Sequence, residues 1–396
     1  MSVRDQYEAY PYPARDPADE KKRLVQGSPS LPTEIDHFLF DGSRDWTRPL
    51  RVLVAGGGTG DGLIQLATLL TKANRPYQIV YVDLSTSSRK IAEERAQIRQ
   101  LTDITFLTGS LLDAAKLGQF DYIDCCGVLH HLPDPDAGFH ALRSALAPGG
   151  GIGFMVYAPY GRSGVYPLQD AYNALFSQLS PEEKLAAAKS VQEKLPAGHP
   201  FANNPNLGDH KASDAGFYDL LLHSQDRSYD VVQLTDALTR ADLSLVSFAT
   251  PGLYQLQRFA PRPAGMDDIT AMAIAEKLNG TIKTHVAYAV PISEARNPAR
   301  PNGSKRPHIR GPITKIAQVV AKTGMLALQG QDPRITLNIP RAAAPLLARA
   351  NGQFTLDQIR AKSGLDPIQF TMLWTQVDKA LTPWGLLHYS NIIASF

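Results

Sequence analysis

The chain has 396 residues, of which 43% are hydrophobic and 20% are charged, with a net charge of +2. These values are typical of a globular chain long enough for two domains, and they give no sign of a polyanionic partner. The two cysteines, Cys125 and Cys126, are adjacent, which excludes a disulfide framework and a cysteine-built metal centre. No apolar run reaches the roughly 20 residues that span a bilayer. The first residues lack an apolar signal core, so we expect a cytoplasmic protein.

The first 48 residues are rich in proline and follow no periodic pattern. Tyr7, Tyr10 and Tyr12 lie close together in this segment, and aromatic residues are scarce in disordered tails. We therefore predict an ordered arm over residues 1–48 that closes as a lid over a ligand, with Tyr10 and Tyr12 in contact with substrate. An arm that only packs on the domain surface is the alternative.

From residue 50 onward, short apolar runs alternate with helical patterns, which predicts parallel βαβ units in a doubly wound, Rossmann-like α/β sheet. A largely helical segment at about 162–235 is predicted to form a cap inserted into this domain, which we place at residues 49–292. The predicted strands are residues 51–55, 79–82, 104–107, 122–126, 151–157, 243–249 and 285–290. Cys125 and Cys126 belong to the fourth of these strands and are expected to be small buried hydrophobes.

A change of composition divides the C-terminal part from the rest. Residues 293–312 are rich in Pro, Arg, Asn and Gly and are predicted to be a linker. Residues 313–396 follow a helix, turn, helix and strand pattern, with one helix at 340–350, which predicts a small winged-helix-like α+β domain. Its second paired helix carries Lys379 against Asp366 and Asp378, so we do not expect nucleic acid as its partner. A protein contact, including a homodimer contact, is the preferred role.

A glycine-rich turn follows the first predicted strand, with glycines at 56, 57, 58 and 60. Glycine allows the backbone to approach a ligand closely, and the helix that follows offers unpaired N–H groups. Asp83 ends the second strand, 23 residues after Gly60, where a carboxylate can bind both hydroxyls of a ribose. A helix cap is the alternative role for Asp83. Together these features indicate an adenosine-type cofactor.

The spacing of this turn separates two classes of nucleotide-binding protein. The dinucleotide motif has the spacing Gly-x-Gly-x-x-Gly, whereas here the spacing is Gly-x-Gly-x-Gly. With FLTGSLLD at 106–113, FDYIDCCGVLHHLPD at 120–134 and LRSALAPGGG at 142–151, the region resembles the class I S-adenosylmethionine (SAM)-dependent methyltransferases. The N-terminal QYEAYPYP and the later LLLHSQDRSYD are similar to a bacterial group of methyltransferase-domain proteins.

This resemblance implies SAM as the cofactor, S-adenosylhomocysteine as the product and a set of binding residues. Many members have an acidic residue two positions before the first glycine, where this chain has Val54, so Asp61 is the expected substitute. The implied cofactor-binding residues are Gly56, Gly57, Gly58, Thr59, Gly60, Asp61, Asp83, Leu84, Ser110, Leu111, Gly127 and Val128.

Methyl transfer is a direct displacement, so the enzyme must orient the acceptor, exclude water and, for some acceptors, remove a proton. The residues considered for catalysis are His130, His131, Tyr160 and His223, and those considered for substrate binding are Tyr157, Arg162, Gln225, Asp226 and Arg227. Local packing, helix capping and ion pairing are the alternatives for each. We predict no metal site, because the two adjacent histidines have no obvious acidic partner in the sequence.

The sequence thus predicts a methyltransferase that acts on an oxygen or nitrogen nucleophile of a small molecule or protein side chain. Two alternatives stay open. One is a nucleic-acid methyltransferase guided by the C-terminal module, and the other is a binding protein with an inactive methyltransferase fold.

Overall fold

The computed structural model describes residues 7–8, 10–328 and 335–393. Its strands are β1 Leu50–Ala55, β2 Tyr77–Asp83, β3 Ile104–Thr108, β4 Phe120–Cys126, β5 Leu146–Tyr157, β6 Leu243–Phe248, β7 Thr284–Pro291, β8 Pro307–Ile309, β9 Met325–Ala327, β10 Thr336–Asn338 and β11 Leu387–Tyr389. Its α-helices are Pro32–Leu39, Asp61–Lys72, Thr86–Ile98, Pro135–Ser144, Val165–Phe176, Pro181–Gln192, Asp209–Ala212, Asp214–Leu221, Val231–Arg240, Asp268–Asn279, Ile313–Thr323, Ala344–Leu347, Leu356–Ser363 and Pro367–Leu381.

Seven strands form the central sheet, in the order β3-β2-β1-β4-β5-β7-β6. The first five are parallel to one another, whereas β7 is antiparallel to both of its neighbours, β5 and β6. The prediction of a mostly parallel α/β sheet is confirmed. The order reverses between β1 and β4, and in open sheets of this kind ligands bind at such a reversal, at the carboxyl ends of the strands.

Strand β1 shows why the sheet is the middle of three layers. Val52 and Val54 pack on one face with the helices Pro32–Leu39 and Asp61–Lys72. Leu53 and Ala55 pack on the other face with the helices Pro135–Ser144 and Val231–Arg240. Successive side chains of a strand point to opposite faces, so a run that is apolar at every position belongs to a sheet covered on both sides.

The cap has a core of its own, separate from the two cores of the sheet. The helices Val165–Phe176, Pro181–Gln192 and Asp214–Leu221 enclose this core, and Tyr10 of the arm packs against it. The backbone after the last of these helices returns to the sheet, where the Arg227 amide donates to the carbonyl of His130 at 3.1 Å. The cap therefore covers the turn that follows β4.

The C-terminal segment differs from its prediction in two places. The predicted linker contains strand β8, which pairs in antiparallel fashion with β11 at the far end of the chain. The predicted helix at 340–350 is a 3₁₀ turn, Arg341–Ala343, followed by the short helix Ala344–Leu347. The helices Leu356–Ser363 and Pro367–Leu381 flank a turn at Gly364, as expected. The winged-helix assignment stays a prediction.

The C-terminal segment also packs on the N-terminal helix Pro32–Leu39. Asp36 accepts hydrogen bonds from the Ser390 hydroxyl at 2.6 Å and from the Asn391 amide at 3.0 Å. Nδ1 of His37 accepts from the Tyr389 amide at 3.2 Å. The two ends of the chain are therefore joined through buried polar contacts. Within the described residues, none of the helices has the length and apolar character needed to cross a membrane.

Candidate functional site

A cavity of about 440 Å³ opens at the carboxyl ends of β1, β2 and β4, beneath the arm and the cap. Its wall includes the glycine turn 56–58, the ends of these strands and side chains from both covering segments. The side chains of the wall include Tyr7, Tyr12, Arg15, Ser30, Asp61, Asp83, Leu84, Asp124, Cys126, His131, Tyr157 and Asp219. The position is the one expected from the reversal of strand order.

The glycine turn and Asp83 form one hydrogen-bonded unit. The Gly58 amide donates to Oδ2 of Asp83 at 2.8 Å, and the Ser85 amide donates to Oδ1 at 2.8 Å. A Cβ on Gly57 would lie 2.3 Å from the Tyr81 ring, so this position must be glycine for the turn to pack. A carboxylate has about four lone-pair sites, and Asp83 therefore keeps acceptor capacity for a ligand in the cavity. Burial raises its pKa.

Most of the predicted cofactor residues line the cavity, but two do not. Leu84, Ser110, Leu111, Gly127 and Val128 are part of the wall. Thr59 and Gly60 are not among the described residues of the wall: the Thr59 hydroxyl donates to the carbonyl of Pro13 at 2.8 Å, and Gly60 precedes the helix Asp61–Lys72. Thr59 therefore anchors the arm. The capping role considered for Asp83 belongs to Ser85, whose hydroxyl accepts from the Ser88 amide.

Asp61, the predicted substitute for the missing acid at position 54, is paired elsewhere. Arg15 of the arm donates to it at 2.6 Å and Arg95 at 2.8 Å. Burial opposes ionisation of Asp61, but the hydrogen bond and charge of Arg15, together with Arg95, hold its pKa below the usual value. Asp61 therefore fastens the arm to the start of the helix Asp61–Lys72.

The buried acid beside the glycine turn is Asp124 of β4, which the sequence did not single out. It stands opposite Val54 in the β1–β4 register and is 2% exposed. Burial raises its pKa to about 6, although hydrogen bonds from Ser30 and Tyr122 favour the ionised form. The only signal for it was an acidic residue in the interior of this strand, between Ile123 and Cys125. Cys126, at the end of the same strand, is exposed to the cavity, which corrects its prediction as a buried hydrophobe.

At the other end of the cavity, two tyrosines converge on Asp219 of the cap. The Tyr7 hydroxyl donates to Oδ1 at 3.0 Å and the Tyr157 hydroxyl to Oδ2 at 3.1 Å. Asp219 is 4% exposed, and burial raises its pKa. His223 contacts this group, with Nε2 3.3 Å from the Tyr7 hydroxyl. Asp219 lies among apolar residues of a helix that the sequence assigned only to the cap.

The two adjacent histidines have different surroundings. His131 lines the cavity, donates from Nδ1 to the carbonyl of Gln225 at 2.8 Å and stacks on His223 with ring centroids 3.7 Å apart. His130 is 1% exposed and packs on the Tyr157 ring. Burial, with the nearby His131, Arg162 and His223, lowers the pKa of His130 well below its usual value, so this ring is neutral at pH 7.

Arg162 and Asp226 form a buried ion pair behind the cavity. Nη2 of Arg162 donates to Oδ2 of Asp226 at 2.9 Å, and their side chains are 3% and 1% exposed. The Arg162 guanidinium also lies over the Tyr157 ring at 3.5 Å from its centroid. Neither side chain is among the described residues of the cavity wall. Arg162 therefore positions Tyr157, and the prediction that it holds a substrate is corrected.

Four further predicted residues lie off the described cavity wall. Tyr160 is half-buried in the 3₁₀ turn Tyr160–Arg162. Gln225 and Arg227 are exposed, and they contribute a carbonyl and an amide to the histidine turn rather than side chains to a substrate. Tyr10 stacks on Tyr218 of the cap at 5.0 Å. The aromatic residues of the arm that do line the cavity are Tyr7 and Tyr12.

The cap brings acidic side chains to the histidine pair, which removes the reason for predicting no metal site. Two groups have ligand atoms that all lie within 4.8 Å of one another. One consists of His130, His131 and Asp226, and the other of His131, Asp219 and His223. Both acids come from the cap, far along the chain from the histidine turn.

Residues 53–152 match the model of a family described as a methyltransferase domain. The chain is 32% identical over 258 residues to an uncharacterised protein of Synechococcus, a match that covers 64% of this chain and 60% of that protein. It is also 34% identical over 96 residues to a ubiquinone biosynthesis O-methyltransferase of Psychrobacter arcticus, covering 24% of this chain and 36% of that enzyme. The chain thus spans less than two thirds of either relative.

A similar fold is found in PKMT2 from Rickettsia typhi, solved in complex with AdoHcy. The two structures superpose with a TM-score of 0.64 at 15% sequence identity, and the match covers 91% of this chain and 75% of that one. At this identity the likeness establishes a shared fold. It extends beyond the residues matched by the family model and includes most of the chain.

Proposed function

We propose that the chain is a SAM-dependent methyltransferase that releases S-adenosylhomocysteine, a proposal supported by the match of residues 53–152 to a methyltransferase-domain family. Its acceptor is an oxygen or nitrogen nucleophile on a small molecule or a protein side chain. The observation that carries this proposal is one cavity that joins Asp83 and the glycine turn to the buried polar group around Asp219. The first of these features suits an adenosine, and the second suits a methyl acceptor.

The residues of the wall fit the parts of SAM. Asp83 accepts from the ribose hydroxyls, while Leu84 and Leu111 flank the adenine. Asp124 faces the cationic amino end of the methionine part, because it is the buried carboxylate beside the glycine turn. It thereby replaces the acid that position 54 lacks.

The end of the cavity around Asp219 is where the methyl acceptor would bind, and its residues orient the acceptor, exclude water and supply a base. Tyr7, Tyr12 and Tyr157 present aromatic rings, which attract a sulfonium and keep water away. The acceptor lone pair attacks the methyl carbon, and the carbon–sulfur bond breaks with its electron pair on sulfur. The acceptor proton passes to Asp219, whose basicity is increased because burial raises its pKa.

Among the residues predicted as catalytic, His130, Tyr160 and His223 are absent from the described wall of the cavity. Nδ1 of His223 accepts from the Gln225 amide at 3.0 Å, so its proton is on Nε2 and that atom donates. His131 does line the wall and stays a second candidate base. We favour Asp219, because two tyrosine hydroxyls converge on it and burial raises its pKa.

Cofactor binding is tested by titrating the protein with SAM in a calorimeter. We expect Asp83→Ala to weaken SAM binding at least tenfold, about 1.4 kcal/mol, because the two proposed hydrogen bonds from the ribose hydroxyls to this carboxylate are lost. Asp170→Asn, at an exposed position in the cap, is the matched control and should bind as the wild type does. Equal affinity of Asp83→Ala and wild type would contradict the placement of the ribose.

The acceptor class is tested by transfer of labelled methyl from SAM in a lysate of the source organism. Protein, nucleic-acid and small-molecule fractions are counted separately, with Asp83→Ala as the blank. Label in the protein or small-molecule fraction supports the proposal, and label in nucleic acid would support the guided nucleic-acid alternative. Binding of SAM without transfer to any fraction would favour an inactive binding protein.

For the C-terminal segment, we propose a contact with a second copy of the chain. Ile368 and Met372, one turn apart on the helix Pro367–Leu381, are 73% and 62% exposed, and large apolar side chains in such a patch favour a protein contact. Light scattering should give a dimer mass for wild type and a monomer mass for Ile368→Asp. A wild-type monomer at all concentrations would contradict this role.

A further inference from the structure

Among the described residues, three atoms of one side-chain cluster beneath the cap are buried and have no hydrogen-bond partner. They are Nδ1 and Nε2 of His130 and Oδ1 of Asp226. The His130 residue and the Asp226 side chain are each 1% exposed. Buried polar atoms are hydrogen-bonded in the great majority of cases, so a cluster of unpartnered ones calls for an explanation.

The neighbouring His131 is held in the state that a metal ligand needs. Its Nδ1–H donates to the carbonyl of Gln225 at 2.8 Å, which leaves the lone pair on Nε2. A histidine that binds a metal commonly donates its other ring N–H to a carbonyl or carboxylate in this way. Asp226 is oriented similarly, because Arg162 and Gln169 donate to its Oδ2 at 2.9 and 2.8 Å and leave Oδ1 free.

We propose that His130, His131 and Asp226 bind one divalent transition-metal ion of the zinc class. One ligand atom from each residue lies within 4.8 Å of those of the other two, so side-chain rotation is needed to bring their free atoms to bonding distances of about 2.0–2.2 Å from one ion. Two imidazoles and one carboxylate form a common three-residue set for zinc, with a further position left for water or another ligand.

The overlapping group of His131, Asp219 and His223 is less suited to an ion. Nδ1 of His223 accepts from the Gln225 amide, so Nε2 carries a proton and has no lone pair to offer. Each oxygen of Asp219 also accepts one tyrosine hydroxyl, whereas Oδ1 of Asp226 accepts no hydrogen bond. The set with His130 and Asp226 therefore provides the free donor atoms.

The charges around the cluster are compatible with a cation. Arg162 is the positive group in contact with Asp226, and Asp219 adds a second carboxylate to the same neighbourhood. His131 lines the cavity, which gives the ion a path from solvent.

The test is metal binding by the full chain, independent of methyl transfer. After removal of metals with a chelator, the protein is titrated with Zn²⁺ by calorimetry and with Co²⁺ by visible absorbance. We expect one ion per chain and a Co²⁺ spectrum typical of nitrogen ligation. His130→Gln and Asp226→Asn should each weaken Zn²⁺ binding at least tenfold, whereas His140→Gln, at an exposed position, should bind as the wild type does.

Three results would overturn the proposal. They are no binding by wild type up to about 100 µM Zn²⁺, equal binding by His130→Gln and wild type, and a loss confined to His223→Gln. Asp226→Asn leaves Arg162 without its buried partner, so a loss of metal binding in this variant could reflect misfolding. His130→Gln is the decisive variant, because the His130 ring has no hydrogen bond to lose. Zn²⁺ should also raise the melting temperature of wild type and leave that of His130→Gln unchanged.

Discussion

Asp124 is the residue at which folding and cofactor binding make opposite demands. A carboxylate 2% exposed in a central strand destabilises the fold when it is ionised, and its pKa rises to about 6. In the proposed complex, the same ionised carboxylate would stabilise the cationic amino end of SAM. The fold therefore holds a buried carboxylate that is costly to ionise, and the Ser30 hydroxyl donates a hydrogen bond to it.

Asp124→Asn should change how stability depends on pH. Because the pKa in the folded protein exceeds that of the unfolded chain, the contribution of Asp124 is fully present below about pH 4 and is lost as the pH rises through 6. The difference between 3.8 and about 6 corresponds to roughly 3 kcal/mol. Between about pH 4 and pH 7, the free energy of unfolding in urea should fall by most of this amount in the wild type relative to Asp124→Asn. Parallel pH profiles of the two proteins would contradict the burial of an ionising Asp124.

At the scale of elements, the N-terminal arm is attached to the starts of the two helices that border the glycine turn and Asp83. Glu8 accepts from the Thr86 amide at 2.6 Å and the Ser87 amide at 3.1 Å, where a negative charge favours the helix. Arg15 pairs with Asp61 at the start of the other helix. These contacts hold Tyr7 and Tyr12 at the cavity wall, which supports the proposal that the arm acts as a lid.

Arg15→Gln should loosen this lid. The Arg15–Asp61 pair is partly exposed, so its loss is worth about 1 kcal/mol and corresponds to a roughly fivefold faster release of SAM. Stopped-flow measurement of SAM dissociation checks this, with Lys21→Gln on the exposed face of the arm as the control. An unchanged dissociation rate in Arg15→Gln would mean that the arm does not gate the cavity.

At the scale of the whole molecule, the contact between the helix Pro32–Leu39 and the C-terminal segment contains buried histidines. His37, His308 and His388 are all buried near β8 and β11, and burial lowers the pKa of His37 to about 3 and that of His308 to about 4. Protonation of these rings is therefore coupled to separation or unfolding of the C-terminal segment.

His37→Asn should make the protein less sensitive to acid. Because the pKa of His37 is depressed in the folded protein, its contribution to the free energy of unfolding is fully present above pH 6.5. This contribution is lost progressively as the pH falls toward about 3. At pH 5 the loss is roughly 2 kcal/mol for this one ring. Asparagine keeps an acceptor for the Tyr389 amide and does not titrate. Denaturant unfolding at pH 7 and pH 5 should show a smaller loss for His37→Asn than for wild type, and equal losses would refute the coupling.

The local pattern of the chain was enough to predict the sheet and half of the site. Apolar runs such as 52–55 indicate strands covered on both faces, and the glycine turn with Asp83 belongs to one βαβ unit. These features are readable because each depends on residues close together in sequence.

Only the tertiary structure decided which distant residues complete the site. It placed Asp124 opposite Val54, brought Asp219 under Tyr7, and paired Arg162 with Asp226, so that an expected substrate ligand became a buried support. Likewise, β8 is a strand because β11, almost 80 residues later, lies beside it. Periodicity in a sequence records which face of an element is buried, but which side chains meet across that face depends on the packing of segments that the sequence separates.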